Sequence, residues 1–483
     1  APRPMRAPRA RRRAAWAACG AWCCLGGRLA EAQLDQSPER PEDRYIRGLR
    51  IESARLYGNI NQYAYYFTDL LVGRPTPQRV SVIVDTGSSL CGFPCKGCGH
   101  CGRHIDPPFN IEGSQSARWI PCGQRCQGNC LQGHCYYTQS YTEGSSISGF
   151  WFRDEVRLGD AVQHNPPVNA TLGCHGDERN LFYTQRVNGI LGMAPHRNSG
   201  RPTILQDLFR DKRHVNPDVF AMCLGEWGGL LTVGGWNPSL HLNRTRVQWI
   251  PLTHSGYYSV RPHKLLIGGM DLGFRPEQFG TSLVDSGTTF TYFPQEIFGT
   301  LTAALIAACE ASASACGAKR VEGDCWRLDG GSTDPGRFPA LALTFEGGAQ
   351  VQWPPRAYLF QREDPSLWCH AFADNGAQAD TVLGVSWMLH KDVIFDLERS
   401  HLGVAEASCP EYRKAPGERL SPENFAGSAT QLSWRRTLLG KVGLSVLVAL
   451  LALAACFLAS RRGSDDDEDP EESCSSRLTK CPE

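Results

Sequence analysis

The chain has 483 residues, 41% of them hydrophobic and 20% charged, a composition that can bury a core and excludes a disordered polymer. Its net charge is +1, from 50 Lys and Arg against 49 Asp and Glu, which gives no electrostatic footing for a nucleic-acid binder. The 50 glycines and 31 prolines suit a turn-rich β protein, and the 21 cysteines argue against a reducing compartment.

At the N-terminus, Arg3, Arg6, Arg9, Arg11, Arg12 and Arg13 precede an apolar stretch at residues 14–25 (AAWAACGAWCCL) and then Ala30-Glu31-Ala32. A basic region, a short apolar region and an A-x-A site in that order predict a secretory signal peptide over residues 1–32. Residues 33–60 mix arginines with acidic side chains and are a possible short prosegment.

The body that follows is expected as an N-terminal lobe at 61–245 and a C-terminal lobe at 246–409. Short apolar runs at 80–84, 230–233, 247–250 and 392–395, broken by Gly, Pro, Asn and Asp, read as strands. Helices are predicted at 204–210 and 295–315. Fifteen cysteines lie between Cys91 and Cys409. Eight crowd into an insert at 91–135: Cys91, Cys95, Cys98, Cys101, Cys122, Cys126, Cys130 and Cys135. In an oxidising lumen they predict a disulfide-stapled loop without metal, although Cys95-x2-Cys98-x2-Cys101 has spacing that zinc could use. The connectivity is not readable, and an odd total leaves at least one thiol without an intrachain partner. Asn169-Ala170-Thr171 and Asn243-Arg244-Thr245 are glycosylation sequons.

After the body comes a polar linker at 410–440. Residues 442–460 (VGLSVLVALLALAACFLAS) then carry no charge, with Lys441 on one side and Arg461-Arg462 on the other. About 20 apolar residues cross a bilayer core, so one transmembrane helix is predicted over 441–460. An acidic tail at 461–483 ends the chain. A signal peptide followed by one stop-transfer helix predicts a type I protein of the secretory pathway membrane (ER or Golgi), with its body in the lumen.

The informative feature is a repeat. Val82-Ile83-Val84-Asp85-Thr86-Gly87-Ser88-Ser89 recurs 200 residues later as Ser282-Leu283-Val284-Asp285-Ser286-Gly287-Thr288-Thr289. Each copy is followed by an apolar-apolar-Gly element, Ile190-Leu191-Gly192 and Val382-Leu383-Gly384. An Asp behind an apolar strand is costly unless bonded, and here each is followed by a hydroxyl, a Gly and a hydroxyl. If a pseudo-two-fold axis brings the copies together, Asp85 and Asp285 face each other and share one proton. Such a dyad can hold a water, take its proton as it attacks a carbonyl and protonate the leaving amine, with no covalent intermediate, metal or cofactor. It would titrate as a pair.

Over residues 63–407 the sequence resembles the pepsin-like aspartic peptidases. The resemblance rests on Asp85-Thr86-Gly87-Ser88, Asp285-Ser286-Gly287-Thr288, Asn188-Gly189-Ile190-Leu191-Gly192, Gly234-Gly235, Pro354-Pro355-Arg356-Ala357-Tyr358 and Val382-Leu383-Gly384 followed by Val393-Ile394-Phe395-Asp396. It implies an all-β, bilobal fold with pseudo-two-fold symmetry, few short helices and endopeptidase activity on protein or peptide substrates. Thr86 and Ser286 would then cross-brace the loops, and Ser88 and Thr288 would bond the outer carboxylate oxygens. Ser140-Tyr141-Thr142-Glu143-Gly144-Ser145 matches the family's flap hairpin, with Tyr141 as the closing tyrosine. The Trp that the family often carries seven residues after the first Asp is Gly92 here, so Tyr141 needs another partner. Within the family, the insert is similar to the nepenthesin-type loop. Insert, Glu143 and membrane anchor together resemble the plasmepsin V subfamily of apicomplexan export proteases, which cleaves secretory cargo at an Arg-x-Leu type motif. That likeness implies that Glu143, with Gln185 beside it, receives a substrate Arg. The competing readings are an inactive pepsin-like binder or receptor-like ectodomain, and a plant nepenthesin- or secretase-like peptidase of different specificity.

Overall fold

The computed structural model describes residues 50–413, apart from 124–125, 127, 160–164, 196–202, 243–245, 255, 312–314, 322 and 377–379. By internal contacts the chain divides into Ala1–Arg44 and Tyr45–Glu483, and every described residue belongs to the second unit. The expected signal peptide, the linker beyond residue 413, the transmembrane helix, the acidic tail and the sequon at Asn243 all lie outside the described residues. Among those described, no helix is long and apolar enough to cross a membrane.

The fold is mostly β with few short helices, as the resemblance implies. Strand Gln78–Asp85 shows why: its last six residues, VSVIVD, are all buried, so a β-branched run is packed on both faces. It pairs antiparallel with Tyr65–Val72 on one side and parallel with Gly189–Gly192 on the other. In the second half, Ser282–Val284 pairs parallel with Thr381–Leu383. Each Asp-hydroxyl-Gly copy therefore has its own apolar-apolar-Gly element as a parallel neighbour. The glycines are steric requirements. A Cβ on Gly192 would stand 2.5 Å from the Leu90 nitrogen, and one on Gly384 would stand 2.1 Å from the Phe290 carbonyl oxygen.

The halves are joined beneath these loops. Val219–Leu224 pairs antiparallel with Lys391–Asp396, which pairs with His401–Glu406, which in turn pairs with Gln248–Pro251. Phe220 stacks on Phe395 across this junction, with ring centroids 4.4 Å apart. Glu52–Asn59, which falls in the segment expected as a possible prosegment, is the first strand of the same sheet and pairs with Gly229–Val233.

The helix Ile204–Arg210 stands where expected, opened by a capping box between Thr203 and Gln206. The second is shorter than expected, Gln295–Glu310, burying Ile297, Leu301, Leu305 and Cys309 as one apolar stripe. The Cys309–Cys316 disulfide ties its end to the chain that follows.

The insert at 91–135 is stapled by Cys98–Cys101, Cys122–Cys130 and Cys126–Cys135. Cys95 reaches out of it to Cys174. Cys91, expected among the disulfide cysteines, is instead a buried free thiol. It lies on strand Cys91–Pro94, paired with Leu191 inside the sheet, with its side chain in the apolar core. That placement accounts for the odd cysteine: the other fourteen form seven bridges.

Candidate active site

The two Asp-containing loops are locked to each other through backbone and hydroxyl groups. The Thr86 amide donates to Ser286 Oγ at 3.1 Å, and the Ser286 amide donates to Thr86 Oγ1 at 2.9 Å. Each hydroxyl then donates across to the opposite strand, Thr86 Oγ1 to the Val284 carbonyl at 2.9 Å and Ser286 Oγ to the Val84 carbonyl at 2.8 Å. Thr86 and Ser286 are both buried, so these four bonds work without competition from water.

The carboxyl groups are held with the same symmetry. The Gly87 amide donates to Asp85 Oδ1 at 2.8 Å, and the Gly287 amide donates to Asp285 Oδ1 at 2.9 Å. Ser88 Oγ donates to Asp85 Oδ2, and Thr288 Oγ1 donates to Asp285 Oδ2 at 2.6 Å. The glycines let the carboxyls approach. A Cβ on Gly87 would sit 2.6 Å from Asp285 Oδ1, and one on Gly287 would sit 2.3 Å from Asp85 Oδ1. The pseudo-two-fold juxtaposition expected from the repeat is thus present.

Burial pushes the Asp85 carboxyl well above the usual carboxylate range, and the neighbouring Asp285 charge pushes it the same way. The bonds from Ser88 and Gly87 oppose that shift without cancelling it. Such a pair keeps a proton where an isolated carboxyl has lost it.

Over the dyad lies the hairpin of His134–Ser140 and Ser146–Leu158. Its tip is closed by the Tyr141 amide donating to the Ser145 carbonyl at 2.9 Å and the Gly144 amide donating to the Tyr141 carbonyl at 3.0 Å. Gly144 takes φ +89°, which a side chain would oppose. Burial, and then the Asp85 charge, raises the Tyr141 phenol well above its ordinary value. The ring packs on Phe182, centroids 5.0 Å apart, while the hydroxyl faces Ser88 without a well-aligned hydrogen bond. The missing Trp is explained in the same place: a Cβ on Gly92 would meet His175 Nε2 at 2.6 Å, so an imidazole occupies that space.

Glu143 is exposed on the tip and forms no ion pair with any described residue. Gln185 lies at the end of the short helix Leu181–Thr184, and its side chain donates to the Val187 carbonyl at 3.1 Å. Asn169 is exposed on strand Val168–Arg179, open to a glycan.

Sequence reasoning missed the support behind the flap. Asn180 Nδ2 donates to the Gly144 carbonyl at 2.7 Å, and the Leu181 amide donates to Ser145 Oγ at 3.2 Å. That segment is anchored by Glu178, whose carboxylate is fully buried between His104 Nε2 at 2.9 Å and His175 Nδ1 at 2.8 Å. The other nitrogen of His104 lies 3.1 Å from the Gln185 carbonyl, so the ring is held between that carbonyl and the Glu178 carboxylate. Burial alone would raise the Glu178 carboxyl, but the bonds from His104 and His175 outweigh it and hold the group below the usual range. No local motif announces this cluster: His104 and Glu178 are 74 residues apart and meet only in the fold.

Comparison with known proteins places this geometry. The eukaryotic aspartyl protease family model matches residues 65–407. The chain is 36% identical over 416 residues to aspartic protease 5 of Toxoplasma gondii, covering 75% of this chain and 38% of that protein. It is 28% identical over 449 residues to plasmepsin V of Plasmodium falciparum, covering 74% and 73% respectively. It is also 26% identical over 366 residues to nepenthesin-1 of Nepenthes gracilis, covering 71% and 78%. The chain thus spans well under half the length of the Toxoplasma relative.

Proposed function

The chain belongs to the eukaryotic aspartyl protease family, and from that premise we propose that it is a membrane-anchored endopeptidase of the secretory pathway that cleaves cargo proteins after an Arg-x-Leu type motif. The observation that carries the chemistry is the cross-braced dyad. Asp85 and Asp285 hold one proton and one water between them. The ionised carboxyl takes a proton from the water as its oxygen attacks the scissile carbonyl carbon, and the protonated carboxyl hydrogen-bonds the developing oxyanion. Proton transfer to the amide nitrogen then lets the C–N bond break, and the products leave as acid and amine. Thr86, Ser286, Ser88 and Thr288 fix the carboxyls for this exchange, and Tyr141 closes the site above it.

The specificity reading rests on Glu143 and Gln185. An exposed carboxylate with no ion-pair partner among the described residues, on a tip that folds over the cleft, is available to a substrate guanidinium in a bidentate pair. Gln185 contributes from the neighbouring segment once its side chain turns from the Val187 carbonyl. The secretory and membrane assignments rest on the signal-like N-terminus, the uncharged segment at 442–460, the seven disulfides and the exposed sequon at Asn169.

The test is hydrolysis of a peptide panel by the purified protein at mildly acid pH, with and without a statine-type inhibitor. Inhibitor-sensitive cleavage favouring peptides with Arg upstream of the scissile bond is expected. No cleavage overturns the peptidase reading, and cleavage without an Arg preference overturns the export specificity alone. Truncation before Arg435 should release a soluble, active body from membranes. Retention in the membrane fraction would place the anchor elsewhere.

A further inference from the structure

The Cys-rich insert contains a motif that peptide hydrolysis does not use. Cys98-Gly99-His100-Cys101 closes on itself as a disulfide across two residues, the shortest separation of the seven bridges. Neither cysteine is fully buried, and Lys96, His100 and Arg103 around them are exposed. Sulfurs at the surface are open to an attacking thiolate, and access is one of the conditions that set the rate of thiol exchange. Five of the other six bridges have at least one buried cysteine, Cys174, Cys135, Cys223, Cys309 and Cys369 among them. Only Cys122–Cys130 shares the exposure, and it closes a longer loop without the Cys-x-x-Cys spacing.

The loop is also knitted onto the segment that holds the flap. The Glu178 amide donates to the His100 carbonyl at 2.8 Å, and His100 Nδ1 lies 2.9 Å from the Glu178 carbonyl. The His100 ring stacks on Tyr183 with centroids 4.6 Å apart. Gly102 approaches so closely that a Cβ there would stand 1.8 Å from the Tyr183 carbonyl oxygen. From this segment Asn180, Leu181 and Phe182 reach the flap tip at Gly144, Ser145 and Tyr141. A path of bonded groups therefore runs from the disulfide to the flap tyrosine.

We propose that Cys98–Cys101 is a thiol-exchange site whose state sets how firmly the flap holds substrate. This rests on the peptidase reading above for its effect on turnover, but not for the exchange itself. The co-reactant is a small thiol of the glutathione class. Its thiolate attacks one sulfur of the bridge, the S–S bond breaks, and the released cysteine thiolate takes up a proton. A second thiol attacks the reductant's sulfur in the mixed disulfide, freeing the other cysteine and leaving the reductant as its own disulfide. Two electrons and two protons pass from two thiols to the protein. With the bridge open, residues 98–101 regain backbone freedom, and the contacts of His100 and Gly102 with Glu178 and Tyr183 loosen. The flap is then less ordered while the cross-braced dyad is untouched.

The experiment titrates the full-length protein in detergent through a series of reduced and oxidised glutathione ratios. At each step free thiols are alkylated and mapped by mass spectrometry, hydrogen exchange is read over residues 140–146, and peptide kinetics are measured. Cys98 and Cys101 should become alkylated while the five bridges with buried cysteines stay closed. At that point hydrogen exchange at 140–146 should rise, and KM should increase roughly fivefold or more with kcat changed less than about twofold. A Cys98→Ser/Cys101→Ser protein should show the raised KM without its redox dependence. A Cys122→Ser/Cys130→Ser protein should keep both the wild-type KM and the redox response. Opening of the buried bridges before or together with Cys98–Cys101 overturns the exchange site. Selective opening with unchanged exchange at 140–146 overturns the coupling to the flap, whether or not the serine variants fold. If the oxidised protein cleaves no peptide, the peptidase reading fails, while alkylation and hydrogen exchange still decide this proposal.

Discussion

Thr86 and Ser286 hold each other's loops from positions 200 residues apart, each amide donating to the other's side-chain hydroxyl. The pair converts two separate halves into one rigid floor for the carboxyls. Removing the hydroxyl in Thr86→Ala leaves the Ser286 amide without an acceptor and the Val284 carbonyl without a donor. Each orphaned buried group costs about 1–3 kcal/mol. A lower Tm and a fall in kcat of roughly tenfold or more are expected, since misaligned carboxyls lose rate rather than affinity. Thr86→Ser should restore most of both. Calorimetry and kinetics on the two variants check this, and an Ala variant with wild-type Tm and kcat would contradict it.

For the dyad, Asp85→Asn and Asp285→Asn should each abolish peptidase activity while leaving the Tm within a few degrees of wild type, because each carboxyl has its own task with one water. The direction of the Asp85 shift also sets a pH limb. Its folded value is raised, so the stability of the protonated form is fully present below the ordinary carboxylate value and is lost as pH rises through the folded value. Activity needs the shared proton and should fall along the same limb. A kcat/KM profile that climbs steadily from acid to alkaline pH would rule out a proton-sharing pair.

Lys391 gives a second, independent pH dependence. It is fully buried beneath the site, with Nζ donating to the Trp387 and Leu389 carbonyls at 2.8 and 3.2 Å. Burial pushes its ammonium down to about 7, against the pull of Glu406. Between that value and its ordinary one the unfolded chain binds the extra proton, so the group makes the fold more stable as pH rises from about 7 to 10. One fully shifted group contributes at most ~1.4 kcal/mol per pH unit. Lys391→Met removes that slope. The Tm difference between variant and wild type, followed by calorimetry from pH 7 to 9, should shift in favour of wild type as pH rises. Parallel curves would show that the lysine keeps its ordinary ionisation.

Glu143→Ala tests specificity directly. On paired peptides with Arg or Ala upstream of the scissile bond, wild type should prefer Arg, and the variant should lose roughly 30-fold or more in kcat/KM on the Arg peptide only. Lys should replace Arg poorly, since an ammonium lacks the planar fork. An equal loss on both peptides would mean that Glu143 shapes the flap rather than reading the substrate.

The parts of this site that were legible in the sequence are those built from contiguous residues. Asp85-Thr86-Gly87-Ser88 and its copy at Asp285 carry their own turn, their own hydroxyl donors and a matched apolar-apolar-Gly neighbour, so local pattern and tertiary role coincide. Helix Ile204–Arg210 was readable for the same reason, its cap lying in the adjacent residues. Cys91 was misread because spacing cannot tell a loop cysteine from one turned into the core of a strand. The end of the second helix and the exit of Cys95 to Cys174 depend on bridges between segments, which spacing does not order. The flap support was invisible because its members are a histidine, a glutamate and a second histidine drawn from two distant segments, none unusual alone.

Glu178 is where that support can be broken. It is a positioning residue: its carboxylate is held between His104 and His175, and it carries the segment that bonds Gly144 and Ser145. Glu178→Gln turns an amide NH2 toward one of the two histidines in place of an acceptor, and a buried polar group left unsatisfied costs about 1–3 kcal/mol, so the Tm should fall clearly. A purely structural role would end there. If the cluster aims the flap, KM should also rise about tenfold with kcat nearly unchanged, because the dyad floor has its own braces. The pH behaviour separates the two further. The Glu178 carboxyl is held below its ordinary range, so its contribution is present above that range and is lost as pH falls through the folded value. Wild-type KM should therefore climb at the acid end of the profile, and the Gln variant should show a raised KM that no longer changes there. A variant with lowered Tm but wild-type KM at every pH would reduce the cluster to packing.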